Sequence, residues 1–484
     1  MLKRFFTFLI IVLLIQAAPA QLKSGDHALT FISSFDQTKQ PYRLYVPEQA
    51  EEGKTVPLLV VLHGKWVDQN AWFDYTPVKE FGRNNGFLIA APYGRGDYFY
   101  RGPGEQDVLD IIETVLYKFN VDENRIYLMG HSMGGWGSWW IGLRNRDLFA
   151  CISPMSGFPP MEFLPNALHL DPYVIHSEDD PVVAVSGSRE PMARLGEIGI
   201  SHRYLEENGY GHSSKMIGDN LSNLFRWMKQ HERPKNPQKI NIIIRTPAKG
   251  SAWWLRITDT LKYPEIASVS AEINEEGVIS IVTGNVKEIA IEQELLPDNI
   301  IPKEIRIDGS IIEIREPEAW GILSYHDDQW NYKRLMVEPL PYKSPVVEKI
   351  SKDADIATSS MLLTDMAAQH LCDAMKVDLC LFLDDMFQFP GGELTEDGVL
   401  DLYVYPEERM AIFEYTGADL PKYLNMESRF YPLGKYNPKL RKVWKVAAPW
   451  ILARRISRNP DLQQKKIWEF LLESVKDKEK FILK

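Results

Sequence analysis

The chain has 484 residues, a formal net charge of −11 and only three cysteines. That length exceeds what one hydrophobic core organises, so two or three domains are expected. The acidic balance argues against a nucleic-acid partner, and no His, Cys or carboxylate cluster has metal-ligand spacing, so neither metal nor cofactor is expected.

In chain order, the first signal is a basic start, Met1-Leu2-Lys3-Arg4, then an apolar run from Phe5 to Ile15 and the triplet Ala18-Pro19-Ala20. This pattern predicts a secretory signal peptide over residues 1–20 rather than a membrane span. A secreted or periplasmic location, with no transmembrane segment after cleavage, is the expectation. No cysteine follows the cleavage site, which argues against a lipid anchor there.

The next element is an apolar strand, Val56 to Leu62, ending in His63-Gly64-Lys65-Trp66. A strand end with a glycine lets the backbone approach a reacting group closely, and such a loop can supply an oxyanion N–H. The backbone amide of Lys65 is the expected donor, with Trp66 as the alternative. Aromatic residues gather nearby: Trp66 and Trp72 beside this loop, and Tyr93, Tyr98 and Tyr100 in the glycine-rich stretch from Pro92 to Gly102. Trp66, Trp72 and Tyr98 are candidates for the wall of a substrate cleft, with ordinary packing as the competing reading. The stretch is no phosphate loop, because no Gly-Lys-Ser/Thr follows.

The most informative segment is Arg125-Ile126-Tyr127-Leu128-Met129 followed directly by Gly130-His131-Ser132-Met133-Gly134-Gly135. A strand running into Gly-x-Ser-x-Gly and then into a helix, here expected over Trp136–Leu143, is a nucleophile elbow. The serine is pushed out on a strained turn, and small neighbours prevent collisions there. Ser132 is therefore the candidate nucleophile, and the amide of Met133 an oxyanion donor. Short buried strands are expected at Leu148–Ser153, Pro172–His176 and Tyr204–Glu206. An acid belongs after the second, in Ser177-Glu178-Asp179-Asp180-Pro181-Val182-Val183, and His212 lies in the loop after the third. The order Ser, acid, His is the order this architecture requires. In that scheme His212 moves the Ser132 proton, and the acid orients and stabilises the imidazole.

With these motifs in place, residues from about Tyr42 to Trp227 resemble α/β-hydrolases of the polyhydroxybutyrate-depolymerase and feruloyl-esterase kind, close to the prolyl-oligopeptidase catalytic domain. The resemblance rests on Pro57–Gly64, Asp122–Gly135 and Asp180–Val183. It implies a secreted serine hydrolase cleaving carboxylic esters, with an acyl-polysaccharide or polyester as substrate. The alternative it leaves is a prolyl-oligopeptidase-type peptidase, although no β-propeller repeat precedes the domain. A scaffold protein with an inactive hydrolase is the reading from another class, and Ser132, Asp180 and His212 together oppose it. The family writes His-Gly-x-x-Asp at the acid turn, whereas here Ser177 replaces the glycine and Glu178 and Asp179 crowd the turn. Register selects Asp180 as the acid over Asp179.

After a helix expected over Asn220–His231, the polar, proline-broken segment 232–237 reads as a linker. The expected α/β-hydrolase domain therefore spans residues 21–232. From 239 to 340, short alternating runs such as Ile240–Arg245, Trp253–Ile257, Ser268–Ile273, Val278–Val282 and Ile311–Ile314 predict a small β-sandwich. The remainder, 342–484, is expected to be an α+β domain with a helix over Met361–Met375, a strand over Val377–Leu383 and a basic helical tail from Lys435. It resembles the C-terminal domain of 5′-nucleotidases, most clearly at Thr416-Gly417-Ala418. Asp384 and Asp385 stand where that family places a phosphate-binding arginine loop, and Glu407 where it places an aromatic ring, so the resemblance implies a lost nucleotide site. Cys151 reads as buried. Cys372 and Cys380 are close enough in sequence to pair in an oxidising compartment, and spacing alone does not decide it. Nothing in the chain sets an oligomeric state.

Overall fold

The computed structural model describes residues 22–335 apart from 299 and 315–319, and beyond them only short segments between 338 and 466. In chain order the first part runs β1 (Gly25–Ile32), β2 (Lys39–Val46), α1 (Glu48–Glu51), β3 (Val56–Leu62), α2 (Ala71–Tyr75), α3 (Val78–Asn85), β4 (Leu88–Pro92) and α4 (Pro103–Lys118). It continues with β5 (Val121–His131), α5 (Met133–Arg144), β6 (Cys151–Met155), β7 (Tyr173–Ser177), α6 (Ser186–Glu197), β8 (Arg203–Glu207) and α7 (Lys215–Met228).

Every residue of β3 is buried, the signature of a strand covered on both faces. Its side chains alternate accordingly: Leu58, Val60 and Leu62 join one apolar core, and Leu59 and Val61 the other. The eight strands form one sheet in the order β1-β2-β4-β3-β5-β6-β7-β8. The first two pairings are antiparallel and all those from β4 onward parallel. Helices α4, α5 and α6 contribute to one core, and α2, α3 and α7 to the other. This is the layering of an α/β-hydrolase sheet, with β5 near its centre.

Two element boundaries differ from the sequence reading for identifiable reasons. Leu148-Phe149-Ala150 precedes β6 rather than forming it, because the Leu148 amide donates back to Asn145 O in the turn that ends α5. Helix α7 begins at Lys215, five residues before the expected start, so it follows the His212 loop after only two residues.

The next part contains β9 (Lys239–Ile244), β10 (Ser251–Ala252), β11 (Leu255–Thr260), β12 (Ala267–Ile273), β13 (Val278–Gly284), β14 (Val286–Glu292), β15 (Glu304–Ile307), β16 (Ser310–Glu313), β17 (Trp320–His326) and β18 (Gln329–Leu335). They form two five-stranded sheets, β10-β11-β14-β17-β18 and β16-β15-β13-β12-β9, whose inward side chains share one core. Trp253 and Trp254 are not in a strand as expected. Trp253 takes a left-handed φ of 47°, and the two indoles donate to Pro234 O and Pro237 O. The expected linker is thus held by the unit it leads into.

This two-sheet unit docks on the hydrolase sheet's helical layer. Asn166 makes a paired contact with the Ile243 backbone, accepting from its N–H at 2.7 Å and donating to its C=O at 2.9 Å. Lys249 reaches the buried Glu105 of α4 at 2.7 Å, and Arg146, fully buried, donates to Lys249 O at 2.8 Å.

Beyond residue 335 the described strands are β19 (Val346–Ile350), β20 (Leu379–Leu383), β21 (Gly392–Thr395), β22 (Arg409–Thr416), β23 (Ser428–Pro432), β24 (Val443–Pro449) and β25 (Asp461–Lys466). One sheet has the order β23-β20-β24-β22-β25 and the other pairs β19 with β21. Strands β24 and β25 correct the expectation of a helical tail from Lys435. Val443-Trp444-Lys445-Val446 is rich in β-formers, and its pairing with β22 overrides a helical reading of the surrounding lysines and arginines. The expected helix over 361–375 lies outside the described residues save its last position. Asp384, Asp385, Glu407 and Cys372 lie outside them too, as does the side chain of Cys380.

Candidate active site

Strand β5 ends at Gly130 and His131, and α5 starts at Met133, so Ser132 occupies the turn alone with φ 58°. The glycines around it are set by contact. A Cβ on Gly130 would lie 2.2 Å from Gly134 O, one on Gly134 would lie 2.1 Å from Leu62 O, and one on Gly135 would lie 2.2 Å from Met155 O. No side chain fits at those distances, which gives the Gly-x-Ser-x-Gly-Gly spacing a steric cause. The Ser132 amide donates to Met155 O at 2.9 Å, pinning the turn to the neighbouring strand.

Three expected site residues come together here. The Ser132 hydroxyl lies 2.8 Å from His212 Nε2, and His212 Nδ1 lies 2.7 Å from Asp180 Oδ2. The other carboxylate oxygen, Oδ1, accepts from the amides of Val182 at 2.8 Å and Val183 at 2.9 Å. Burial works to raise the Asp180 pKa, but the His212 hydrogen bond and those two amides outweigh it and hold the carboxyl below its usual value. Asp180 is thus an anion facing the imidazole. Behind it, buried His176 approaches Oδ2 at 3.4 Å, and its Nε2 donates to Val183 O at 3.0 Å. Burial lowers the His176 pKa, so this ring is a neutral brace for the turn.

Asp179 does not touch the imidazole. Its Oδ1 accepts instead from Ser177 Oγ and from the amides of Gly209 and Gly211.

The His131 ring packs against His212 with centroids 4.8 Å apart and the two planes tilted by 37°. Burial first, and then the adjacent His212, bring its pKa down to about 3, so it contributes an uncharged wall.

The loop after β3 passes in front of the serine. Gly64 stands where an added Cβ would meet His131 O at 3.5 Å and Ser132 Cβ at 3.6 Å. The His63 ring lies between two carbonyl oxygens, 2.7 Å from Gly64 O and 2.9 Å from Tyr93 O, which braces the loop. The Trp66 amide, the alternative oxyanion donor, is committed to Asp97 at 2.7 Å. Lys65 and Met133 both line the cavity over the serine, and Met133 stands at the first position of α5, where helix amides have no intrahelical partner.

A cavity of about 750 Å³ opens over Ser132 and His212. Trp66 and Trp72 line it. Tyr98 does not, and its place is taken by Phe99, one residue later. The correction has a backbone cause. Phe99 and Tyr100 both have left-handed φ values, 53° and 54°, so the chain reverses there, sending Tyr100 into the core and Phe99 to the cleft. Trp72 is mostly buried, and its indole donates to Leu62 O at 2.8 Å. Trp66, 77% exposed, sits at the mouth with Tyr75 and Val182, 73% and 63% exposed. The Lys65 ammonium lies within 6 Å of both the Trp66 and Phe99 rings, at 5.5 and 5.9 Å. Tyr75, Val183 and Ile217 also line the cavity and carried no signal in the sequence that assigned them there.

Among the described residues no group of three or more His, Cys, Asp or Glu side chains is placed to hold a metal ion. Among them, too, no helix is long and apolar enough to cross a membrane.

Comparison with known protein families points to the same part of the chain. The Esterase family model matches residues 33–236. A bifunctional acetylxylan esterase/xylanase of Neocallimastix patriciarum is 31% identical over 105 residues, which is 21% of this chain and 16% of that protein. A prolyl endopeptidase of Bos taurus is 31% identical over 140 residues, 24% of this chain and 18% of that protein. Feruloyl esterase B of Thermothelomyces thermophilus is 28% identical over 127 residues, 24% of this chain and 43% of that protein. The chain thus spans less than half the length of each of these curated relatives.

Proposed function

We propose that this protein is a serine hydrolase that cleaves carboxylic esters. The observation that carries the reading is the continuous chain from Ser132 Oγ through His212 to Asp180, with links of 2.8 and 2.7 Å, beneath an apolar cavity. In the proposed sequence His212 Nε2 takes the Ser132 proton as Oγ attacks the ester carbonyl. The carbonyl oxygen becomes an anion held by the amides of Met133 and Lys65. His212, then cationic and facing the Asp180 carboxylate, returns the proton to the departing alcohol, leaving an acyl-serine. Water, deprotonated by the same imidazole, attacks the acyl-serine and releases the acid, restoring Ser132. No metal or cofactor enters these steps.

The cavity would hold a bulky, largely apolar group on one side of the ester. Trp66, Trp72 and Phe99 would pack against it. An acyl group on a polysaccharide is the substrate this reading favours, and two relatives bear acetylxylan esterase and feruloyl esterase in their names. On the same footing we infer a signal peptide over residues 1–20 and a catalytic domain over 21–232. A β-sandwich would follow over 239–340, and a C-terminal domain over 342–484 that has lost nucleotide binding. Calorimetric titration of the whole protein with AMP and adenosine tests the last point, and micromolar affinity would overturn it.

The experiment for the activity is a panel of p-nitrophenyl, feruloyl and peptide substrates assayed on one preparation. The expected order places esters far above peptides. Faster peptide cleavage would move the assignment to a prolyl-oligopeptidase-type peptidase.

A further inference from the structure

We infer that Ser177 and Asp179 form a clasp that holds the His212 loop in its working position, making them positioning residues for the imidazole. The inference rests on the proposed role of His212 and adds to it the device that sets its loop. Two segments are involved: the turn after β7, Ser177 to Asp180, and the loop after β8, Asn208 to His212. Asp179 Oδ1 accepts from Ser177 Oγ at 2.5 Å, from the Gly209 amide at 3.0 Å and from the Gly211 amide at 3.2 Å. Ser177 Oγ in turn accepts from the Tyr210 amide at 3.3 Å. Three consecutive amides, 209 to 211, thus converge on two side chains of the facing turn, and the next residue is His212. Gly209 and Gly211 have left-handed φ values of 85° and 54°, a backbone in which successive N–H groups can turn toward one anion.

The arrangement also accounts for what is unusual in the sequence of this turn. A glycine at 177 would offer no hydroxyl to Asp179 and no acceptor to Tyr210. With serine there, Asp179 is oriented by a side chain and presents one oxygen to the neighbouring loop. Asp180, the next residue, then faces His212 from the same turn, so the carboxylate and the imidazole are tied together through backbone as well as through their own hydrogen bond. The amide of Glu178 adds a further link, donating to Glu207 O at 2.8 Å at the end of β8. Because Asp179 is exposed, water can take over part of its role once the side chain is removed, so the expected effect is moderate.

The test compares Asp179→Ala, Asp179→Asn and Ser177→Gly with the native protein on one soluble ester. Rates are expressed per active site titrated with a fluorophosphonate. We expect Asp179→Ala to lower kcat by about tenfold with KM changed less than about threefold, since a misplaced base slows chemistry more than binding. Asp179→Asn keeps an acceptor oxygen for the Gly209 and Gly211 amides and should recover most of the loss. Ser177→Gly should fall between. A role confined to folding would lower the number of titratable sites and leave kcat per site unchanged, which would overturn the inference. A loss in Asp179→Asn exceeding that in Asp180→Asn would also overturn it, by making Asp179 the acid. Ser132→Ala, run alongside with its rate expressed per mole of protein, separates the two levels: full activity there would refute the hydrolase reading itself, whatever the clasp variants show.

Discussion

At the scale of single residues, adjacent carboxylates are held by different donors, which predicts different effects of substituting them. Asp180 is nearly buried, receives two backbone amides on one oxygen and faces His212 with the other. An amide at this position would favour the wrong tautomer of the imidazole, so Asp180→Asn should lower kcat by roughly 10³- to 10⁴-fold. Asp179→Asn should lower it only a few-fold. Steady-state rates for the two variants on the same ester decide between them, and the reverse order would move the acid to Asp179. The cleft makes a second residue-level prediction. Phe99→Ala should raise KM for an aromatic ester by about tenfold, as expected for losing a large apolar contact, while Tyr98→Ala should leave KM within about twofold. Equal effects would mean that both rings reach the substrate.

How far the site can be read from sequence follows the range of the interactions that build it. Ser132 stands out because the mark of the elbow is local in the sequence, a strand, five residues with small ones at fixed places, and a helix, even though the carbonyls that require Gly134 and Gly135 belong to β3 and β6. The acid turn and the His212 loop are recognisable as strand-end loops in the right order, but their meeting depends on β7 and β8 being neighbours, which only the sheet reveals. Phe99 was not legible. Two adjacent aromatics carry no mark of which faces the cavity, and the left-handed backbone that decides it is not signalled by Tyr98-Phe99-Tyr100. Tail strands β24 and β25 lie beyond local patterning for a similar reason, since their partner β22 lies about thirty to fifty residues earlier in the chain.

At the scale of elements, the serine's helix is anchored from behind by a buried carboxylate. Glu105 of α4 accepts from Trp140 at 3.0 Å, Arg144 at 2.9 Å and Asn145 at 3.0 Å, all on or capping α5, and pairs with Lys249 of the two-sheet unit. Burial works to raise its pKa, but Arg144, Lys249 and the surrounding hydrogen bonds outweigh this and bring it down to about 2. A folded-state pKa below the unfolded value means that the unfolded chain binds more protons between those values. The stabilisation is therefore complete above about pH 4.5 and is lost as pH falls toward 2. Urea unfolding at pH 6 and pH 3 checks this. The Glu105→Gln protein should be less stable than native at pH 6 and should lose less stability than native on going to pH 3. Parallel curves for the two proteins would show that Glu105 is not the titrating anchor.

At the scale of the whole molecule, the two-sheet unit packs against the eight-stranded sheet's helical layer through residues outside the cleft. Its contacts run through Asn166, Arg146 and Glu105, none of which lines the cavity. A chain ending at Pro237 should therefore still turn over a small soluble ester. Without Lys249 and the Ile243 backbone to satisfy those buried groups, it should melt about 5–10 °C lower, the fall expected for losing a few kcal/mol from a domain of this size. Calorimetry and an ester assay on the same sample test both halves. Loss of activity with an unchanged melting temperature would mean that the later regions contribute to the site directly.

The central claim is that Ser132, activated by His212, attacks an ester carbonyl. The most direct measurement is labelling of native and Ser132→Ala protein with a fluorophosphonate, followed by mass analysis of the modified peptide and ester turnover on the same samples. The account predicts one label on the native protein, at Ser132, no label on the variant, and turnover reduced by several decades. Labelling that persists in the Ser132→Ala protein, or turnover that survives the substitution, would contradict it.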